Sequence, residues 1–209
     1  LMDAINLITS CQLLPLVTLT SKDQVEPLCK VLTNVGLPLI EVTLRDEKTL
    51  DILDEFKKYP QITLGVGTIR TTHQIDKAIE AQARFLITPG YSKKLSQYAF
   101  SKNILLIPGI QTPSEIMSAN EEGHDVLKFF PAELSGGIQK LKAYYSVFSD
   151  IKFIPTGGIS EENASSYLKL DNVMAVGASA LIPSNLIKIN SWNEIEDILN
   201  KSKANYLKS

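Results

Sequence analysis

The sequence has few cysteines and no long apolar run, and each shortage excludes a class of protein. Cys11 and Cys29 form neither a metal-binding spacing nor a disulfide framework. No apolar stretch approaches the roughly 20 residues of a membrane-spanning helix. The segment Leu1–Leu7 lacks the basic and apolar regions of a signal peptide. We therefore expect a soluble protein of a reducing, cytoplasmic compartment.

An excess of charge of one sign is also missing. The 21 Lys and Arg residues nearly balance the 23 Asp and Glu residues, and no basic run occurs. Nucleic acids and anionic membranes attract clustered basic residues, so we expect neither as a partner. The two histidines, His73 and His124, have no Ser or Cys partner readable from the sequence, and no His/Asp/Glu cluster has metal-ligand spacing. Metal and catalytic-triad chemistry are therefore not expected.

What the sequence does contain is a regular alternation of short β-rich runs and helical stretches, after a predicted N-terminal helix at about Asp3–Cys11. The eight runs are Leu13–Leu19, Leu39–Leu44, Ile62–Gly67, Phe85–Thr88, Ile104–Ile107, Val126–Pro131, Lys152–Pro155 and Val173–Val176. The helices are predicted over Lys22–Val35, Asp46–Tyr59 and Gly137–Val147, and from Thr72, Ser92, Thr112, Ser160 and Ser191 onwards. Such alternation predicts a parallel sheet covered by helices. Eight repeats in 209 residues favour one compact (β/α)8 TIM barrel over residues 1–209, with a doubly wound open sheet as the alternative.

The sixth run contains a lysine in an otherwise apolar strand. Because side chains alternate along a strand, Lys128 shares a face with Val126 and Phe130. Burial lowers the pKa of a lysine, and a neutral amine is a nucleophile towards carbonyls. The alternative is a lysine at the end of a strand whose tip reaches water.

The second run carries a polar face. Glu41, Thr43 and Arg45 alternate with apolar residues that should face the helices, so the polar set is predicted to point into the barrel. Burial of a glutamate costs folding free energy unless the carboxylate is paired with another group or takes part in catalysis. A structural ion pair between Glu41 and Lys128, with Arg45 turned to solvent, is one interpretation. Proton-transfer catalysis needs the same two groups.

Small residues follow several runs, at the strand ends where a barrel of this kind carries its active site. Gly65–Thr68 lets a ligand approach the backbone and offers the Thr68 hydroxyl, although a bulge or tight packing would explain the glycines equally well. Pro89-Gly90 and Pro108-Gly109 are equally well explained as plain turns.

The seventh and eighth runs lead into a more specific pattern. Thr156-Gly157-Gly158 precedes Ser160, a predicted helix cap, and Gly177-Ala178-Ser179 ends the last run. In (β/α)8 barrels these two loops commonly bind phosphate through free backbone N–H groups and a helix N-terminus. The pattern predicts a phosphate site, and tight turns or an unfilled cradle are the alternative.

Four strings of residues, in order along nearly the whole chain, resemble the 2-keto-3-deoxy-6-phosphogluconate (KDPG) aldolases. That family includes bifunctional members that also cleave 4-hydroxy-2-oxoglutarate. The strings are Leu39-Ile40-Glu41-Val42-Thr43-Leu44-Arg45, Gly65-Val66-Gly67-Thr68, Leu127-Lys128-Phe129-Phe130-Pro131-Ala132-Glu133 and Pro155-Thr156-Gly157-Gly158-Ile159. The second-run and sixth-run strings together are highly specific.

The resemblance implies a class I aldolase that forms a Schiff base without a metal or other cofactor, usually as a homotrimer. Lys128 falls on the Schiff-base lysine and Glu41 on the general acid/base. The remaining positions are Arg45 and Thr68 for the substrate carboxylate, Gly157, Gly158 and Ser179 for phosphate, and Phe130, Pro89 and Thr156 for the pocket wall. On the barrel argument, the phosphate residues are expected at the mouth opposite Arg45.

The implied reaction cleaves KDPG to pyruvate and D-glyceraldehyde 3-phosphate, and extends to 4-hydroxy-2-oxoglutarate. Two departures concern the distal end of the substrate. Some relatives have an Arg near the end of the first strand where this chain reads Val17-Thr18-Leu19-Thr20, and the eighth loop reads Gly-Ala-Ser-Ala instead of Gly-Gly-Ser. An aldolase for the galactonate epimer, a phosphosugar isomerase or epimerase, and a non-catalytic phosphosugar sensor remain the alternatives.

Overall fold

The computed structural model describes residues 2–206, and its strands are all parallel. The strands are β1 Leu13–Val17, β2 Leu39–Thr43, β3 Thr63–Gly67, β4 Phe85–Ile87, β5 Leu105–Ile107, β6 Gly109–Ile110, β7 Val126–Phe129, β8 Lys152–Pro155 and β9 Val176–Ala178. Their residues are nearly all buried on both faces, as the continuous apolar runs predict.

Helices lie between the strands and at both ends of the described chain. They are α1 Met2–Cys11, α2 Val25–Val35, α3 Thr49–Ile52, α4 Thr72–Glu80, α5 Lys93–Ser101, α6 Pro113–Glu121, α7 Gly137–Tyr145, α8 Ala164–Leu168, α9 Ser184–Lys188 and α10 Trp192–Tyr206. No helix within residues 2–206 is long and apolar enough to span a bilayer.

Two sheets carry the strands. One has the order β5-β4-β3-β2-β1-β9 and the other the order β6-β7-β8. Only Pro108 separates β5 from β6 along the chain, and single bridges join Phe153 to Val173 and Thr156 to Gly177. The last strand of each sheet is thus linked to the other sheet, and the chain has an α/β fold built on parallel strands.

Local sequence signals explain where several helices begin. Thr112 caps α6 by accepting a hydrogen bond from the backbone of Glu115, whose side chain bonds back to Thr112, and Pro113 occupies the first helical position. Thr71 and Gln74 form the same capping box at α4. These two predicted starts are confirmed.

Three predicted boundaries were wrong. The stretch Asp46–Tyr59 holds a short α3 and a 3₁₀ helix over Leu53–Lys58, because the Asp46 carboxylate binds the backbone N–H of Lys48 and delays the first helical turn. Ser160 caps no helix, since α8 begins only at Ala164 after a turn. The eighth run pairs with β8 by a single bridge at Val173, and its strand lies later, over β9.

His124 is buried and has a partner that the sequence did not reveal. Its Nε2 lies 2.9 Å from Ser96 Oγ, and its ring packs 5.2 Å from the Phe100 ring, centroid to centroid. It precedes β7, at the end of the strand opposite to the loops predicted to form the active site. Burial lowers its pKa, against smaller opposing effects of the Leu106 backbone, Asp125 and Glu122.

The stability of the fold should therefore fall in mild acid. The folded-state pKa of His124 is lowered, so the unfolded chain binds more protons than the folded protein below the ordinary histidine value of about 6.5, and the folded state loses stability as the pH falls below that value. Above the ordinary histidine pKa, where His124 is neutral in both states, this loss of stability is absent. Chemical unfolding at pH 8 and pH 5.5 should show a smaller difference for His124→Gln than for the unaltered protein. Equal differences would contradict this interpretation of His124.

Candidate active site

A buried contact between Lys128 on β7 and Glu41 on β2 is the centre of the candidate site. Lys128 Nζ lies 3.2 Å from Glu41 Oε1, and the two side chains are 6% and 0% exposed. The strands belong to different sheets, with Glu41 beside Leu16 and Gly65 and Lys128 beside Gly109 and Ile154. The sequence prediction that both side chains point into one interior is confirmed.

The interior is shaped to hold Glu41. Gly67, the last residue of β3, lies directly against the carboxylate, and a Cβ atom there would overlap Glu41 Oε1. The other oxygen, Oε2, is buried and has no hydrogen-bond partner within residues 2–206. A buried polar atom of this kind is costly unless something satisfies it. One oxygen of Glu41 therefore accepts a hydrogen bond from the Lys128 amine, and the other is available to a reacting group.

Lys128 lies close to an aromatic ring of its own segment. Its Nζ is 5.3 Å from the centroid of the Phe130 ring, and Phe130 follows β7 directly. The ring is half-buried and lines a small cavity. The role of Phe130 as a pocket wall stays a prediction.

Beyond Phe130 lies an inner cavity of about 40 Å³ that gathers most of the predicted site residues. Its lining includes Arg45, Phe130, Thr156, Gly157, Gly158 and Ser179. They come from the ends of β2, β7, β8 and β9, which the sheet order places around one opening. The structure therefore brings these six residues together.

Arg45 lies in a place that the sequence did not predict. It was expected opposite the phosphate residues, but it lines the inner cavity beside them. The side chain is exposed and forms no ion pair with any carboxylate of residues 2–206. Its guanidinium is thus available to an anionic ligand. The exposure of Arg45 also fits the alternative interpretation, in which Glu41 and Lys128 form a structural ion pair and Arg45 turns to solvent.

A larger outer cavity, of about 380 Å³, adjoins the inner one through Leu16, Arg45 and Ser179. It is lined in addition by Thr43, which the sequence predicted to point into the barrel, and by three polar side chains that sequence reasoning did not assign, namely Thr18, Ser184 and Asn185. Only the alternation of polar residues at the end of the first run, Thr18 and Thr20, could have indicated Thr18. Nothing in the sequence marked Ser184 or Asn185.

Thr18 lies next to a second hydroxyl in the outer cavity. Its Oγ1 is 2.6 Å from Thr43 Oγ1, and either hydroxyl can be the donor of that bond. Thr43 Oγ1 also lies 3.1 Å from the carbonyl of Val17. A threonine hydroxyl is neutral and offers no positive charge to an anion. Thr18 therefore does not replace a first-strand Arg.

Four predicted residues line neither cavity: the central pair, Lys128 and Glu41, and also Thr68 and Pro89. Thr68 follows β3 with a left-handed backbone, φ 62°, which is uncommon for a residue other than glycine. Pro89 is exposed, and its backbone packs against Gly109, where a Cβ atom would come within 2.5 Å of the Pro89 carbonyl carbon. Both residues lie at the C-terminal ends of strands, as predicted, but neither lines the cavities that contain Arg45.

Comparison with known proteins identifies similar sequences and structures. The sequence model of a family described as "Aldolase: KDPG and KHG aldolase" matches residues 4–198. The KHG/KDPG aldolase of Escherichia coli (strain K12) is 36% identical over 191 residues, which cover 91% of this chain and 90% of that protein.

Two solved structures match nearly the whole chain. One is KDPG aldolase from Legionella pneumophila with pyruvate captured at low pH as a covalent carbinolamine intermediate, with a TM-score of 0.91, 34% identity and coverage of 95% and 97% of the two chains. The other is the 2-keto-3-deoxy-6-phosphogluconate aldolase of Zymomonas mobilis ZM4 with 3-phosphoglycerate, with a TM-score of 0.90, 30% identity and coverage of 98% and 97%.

Proposed function

The chain belongs to the KDPG and KHG aldolase family, and from that membership we propose that it is a class I aldolase acting through a Schiff base on Lys128. The observation that carries the proposal is the buried 3.2 Å contact between Lys128 and Glu41. An amine and a carboxylate held together away from water can exchange a proton without the solvent. The Legionella relative with pyruvate as a carbinolamine supports the same chemistry.

In the proposed reaction, Lys128 attacks the C2 carbonyl of a 2-keto-4-hydroxy acid, and Glu41 accepts the amine proton. Glu41 then supplies the proton with which the carbinolamine loses water. The positive iminium accepts the electron pair of the C3–C4 bond when that bond breaks. Glu41 takes the C4 hydroxyl proton and returns a proton to C3. Hydrolysis of the iminium releases pyruvate, and the other product is an aldehyde.

The two ends of the substrate are assigned to different groups. We propose that Arg45 binds the 2-keto acid carboxylate together with Thr68, and that Gly157, Gly158 and Ser179 bind a distal phosphate, with Phe130, Pro89 and Thr156 as walls. Because Arg45 also lines the inner cavity, its positive charge lowers the electrostatic cost of an anion there. The favoured substrate is therefore KDPG, with 4-hydroxy-2-oxoglutarate as a second one.

The architecture and setting are part of the same proposal. We propose that the two linked sheets close into one eight-stranded barrel in a single domain, in which β5 and β6 act as one strand and α1 lies outside. We also propose a homotrimer, which the resemblance to the KDPG aldolases implies, and the exposed apolar side chains Leu134 (89%) and Val147 (72%) are candidates for its contact surface. Free cysteines at positions 11 and 29 are compatible with a cytoplasmic location.

Borohydride trapping tests the proposed function. With pyruvate and borohydride, the protein should gain one reduced pyruvyl group, and peptide mapping should place it on Lys128 because that amine is the buried one beside Glu41. An adduct on the exposed Lys152 instead would contradict the assignment. Absence of any adduct, with turnover of a phosphosugar, would favour an isomerase or epimerase.

Ser179→Glu should discriminate between the two substrates. Ser179 lines the inner cavity, so a carboxylate there would repel the phosphate and remove its hydroxyl donor. We expect kcat/KM for KDPG to fall about 10- to 150-fold, the size of one lost hydrogen bond to a charged group. The value for unphosphorylated 4-hydroxy-2-oxoglutarate should change much less.

The matched control is Ser179→Gln, which has nearly the same volume and no charge. It should retain most of the KDPG activity that Ser179→Glu loses. A similar loss for both substrates in Ser179→Glu would move the phosphate site away from the inner cavity.

A further inference from the structure

The loop of residues 156–159, which we call the glycine loop, is held from one side by its carbonyl groups. The carbonyl of Thr156 accepts the backbone N–H of Ala132 at 2.8 Å, and that of Gly157 accepts the backbone N–H of Glu133 at 3.1 Å. The carbonyl of Gly158 accepts the side-chain amide of Asn163 at 2.9 Å. Three consecutive peptide units are thus fixed.

The opposite side of these units presents their N–H groups. In a planar trans peptide the carbonyl and the next N–H point in opposite directions. The N–H groups of Gly157, Gly158 and Ile159 therefore turn away from the anchored carbonyls. That of Gly157 faces Gly177, which forms a single bridge with Thr156, whereas those of Gly158 and Ile159 donate no hydrogen bond within residues 2–206. Gly158 and Ile159 both line the inner cavity, and free N–H groups at one cavity suit the oxygens of an anion.

The anchors are themselves braced by two further contacts. The Tyr167 hydroxyl, on a fully buried side chain, donates to the Glu133 carboxylate, whose stem packs on Gly158 so closely that a Cβ atom there would lie 2.6 Å from Glu133 Cγ. Asn163 also accepts the backbone N–H of Ser160 at 2.9 Å, which fixes its amide in both directions. Burial raises the pKa of Tyr167, so its hydroxyl keeps the proton that it donates.

From these contacts we propose that Glu133, Asn163 and Tyr167 are positioning residues, which aim the backbone N–H groups of Gly158 and Ile159 at the distal phosphate of the substrate. They touch no reacting atom and act only through the glycine loop. The backbone conformation needs this support, because Gly157 and Gly158 have φ values of 98° and 81° and the chain has no bulky side chain there to hold it. The short helix α8 begins only beyond the glycine loop. The donors to the phosphate are therefore the backbone N–H groups of the loop and not the N-terminus of a helix. This inference rests on the proposed aldolase function.

Two variants test the positioning role. Asn163→Ala removes the donor to Gly158, and Tyr167→Phe removes the hydroxyl that holds Glu133 while keeping the ring. Each should raise KM for KDPG about 3- to 10-fold, as the indirect loss of one hydrogen bond would, and leave kcat within about twofold. The inhibition constant of inorganic phosphate should rise in step, and KM for 4-hydroxy-2-oxoglutarate should not change.

The matched control is Asn205→Ala. The Asn205 amide donates to Glu161 at 2.7 Å, in the turn next to Asn163, without contacting the glycine loop. It should leave all three constants unchanged. Equal changes in KM for both substrates, or no change in the inhibition by phosphate, would overturn the positioning role.

Pyruvate trapping separates this inference from the proposed function. Both variants should still trap pyruvate on Lys128 at the normal rate. The contact between Lys128 and Glu41 is formed by β7 and β2, whereas Asn163 and Tyr167 lie at and within α8. Failure of the unaltered enzyme to trap pyruvate would contradict the aldolase proposal itself. Normal trapping with an unselective change in KM would contradict the positioning role alone.

Discussion

Lys128→Arg is expected to abolish both turnover and the borohydride adduct while the protein stays folded. A guanidinium does not lose its proton in a protein, so it cannot attack a carbonyl. It does keep a positive charge that can face Glu41, which lies 3.2 Å from the present amine. We expect kcat to fall by at least about 10³-fold, because loss of the nucleophile removes the covalent route altogether.

The control for Lys128→Arg is the same substitution at an exposed lysine. Lys152, on the strand next to Lys128, donates only to the carbonyl of Asp171, and Lys152→Arg should be fully active. Circular dichroism and a thermal melt show whether Lys128→Arg is folded. Appreciable KDPG cleavage by folded Lys128→Arg would show that the amine only balances the Glu41 charge.

The positions of the two central residues could be predicted because strand periodicity decides them. A side-chain period of two places Glu41 and Lys128 on definite faces once their strands are recognised, and buried parallel strands are recognisable as apolar runs. The same rule failed at the eighth run. Val173 and Val176 are both buried, but Val173 forms only a single bridge to Phe153, whereas Val176 begins the strand β9. Hydrophobicity does not distinguish these two kinds of pairing.

The outer part of the site could not be predicted, because it depends on long-range contacts. Arg45 has a long exposed side chain, and its strand position does not fix where the guanidinium goes. The glycine loop was recognised by composition, but the direction of its N–H groups depends on Glu133 and Asn163 through hydrogen bonds that no local pattern predicts. The Ser160 cap failed for a local reason, since the Asn163 side chain accepts the Ser160 backbone N–H in a turn and α8 begins only after it.

Glu41→Gln is expected to lower kcat about 10²- to 10⁴-fold, the usual contribution of a general acid–base group. Gln fits the space beside Gly67 and can hydrogen-bond to Lys128, but it cannot carry a proton between the amine, the carbinolamine and C3. The adduct with pyruvate should therefore still form, but slowly. An exposed carboxylate just beyond β2 provides the control, and Glu47→Gln should be fully active.

The structural interpretation of the Glu41–Lys128 pair predicts a different outcome. If the pair only stabilised the fold, Glu41→Gln would lower stability, by about 3–5 kcal/mol for a broken buried pair, but not the turnover of the molecules that remain folded. Rates must therefore be measured per folded protein. Near-normal turnover on that basis would assign the pair to structure.

A double substitution separates the two roles of the pair most clearly. Replacing both charges by apolar residues of similar size, as in Glu41→Leu with Lys128→Met, removes two buried charges and the unsatisfied Oε2 together. Buried ion pairs replaced in this way commonly leave a protein as stable as before, or more stable by about 1–4 kcal/mol. We expect the double variant to unfold at the same or a higher denaturant concentration and to have no aldolase activity. A large loss of stability would show instead that the fold depends on the pair, whereas retained stability without activity would mean that the two charges serve the reaction.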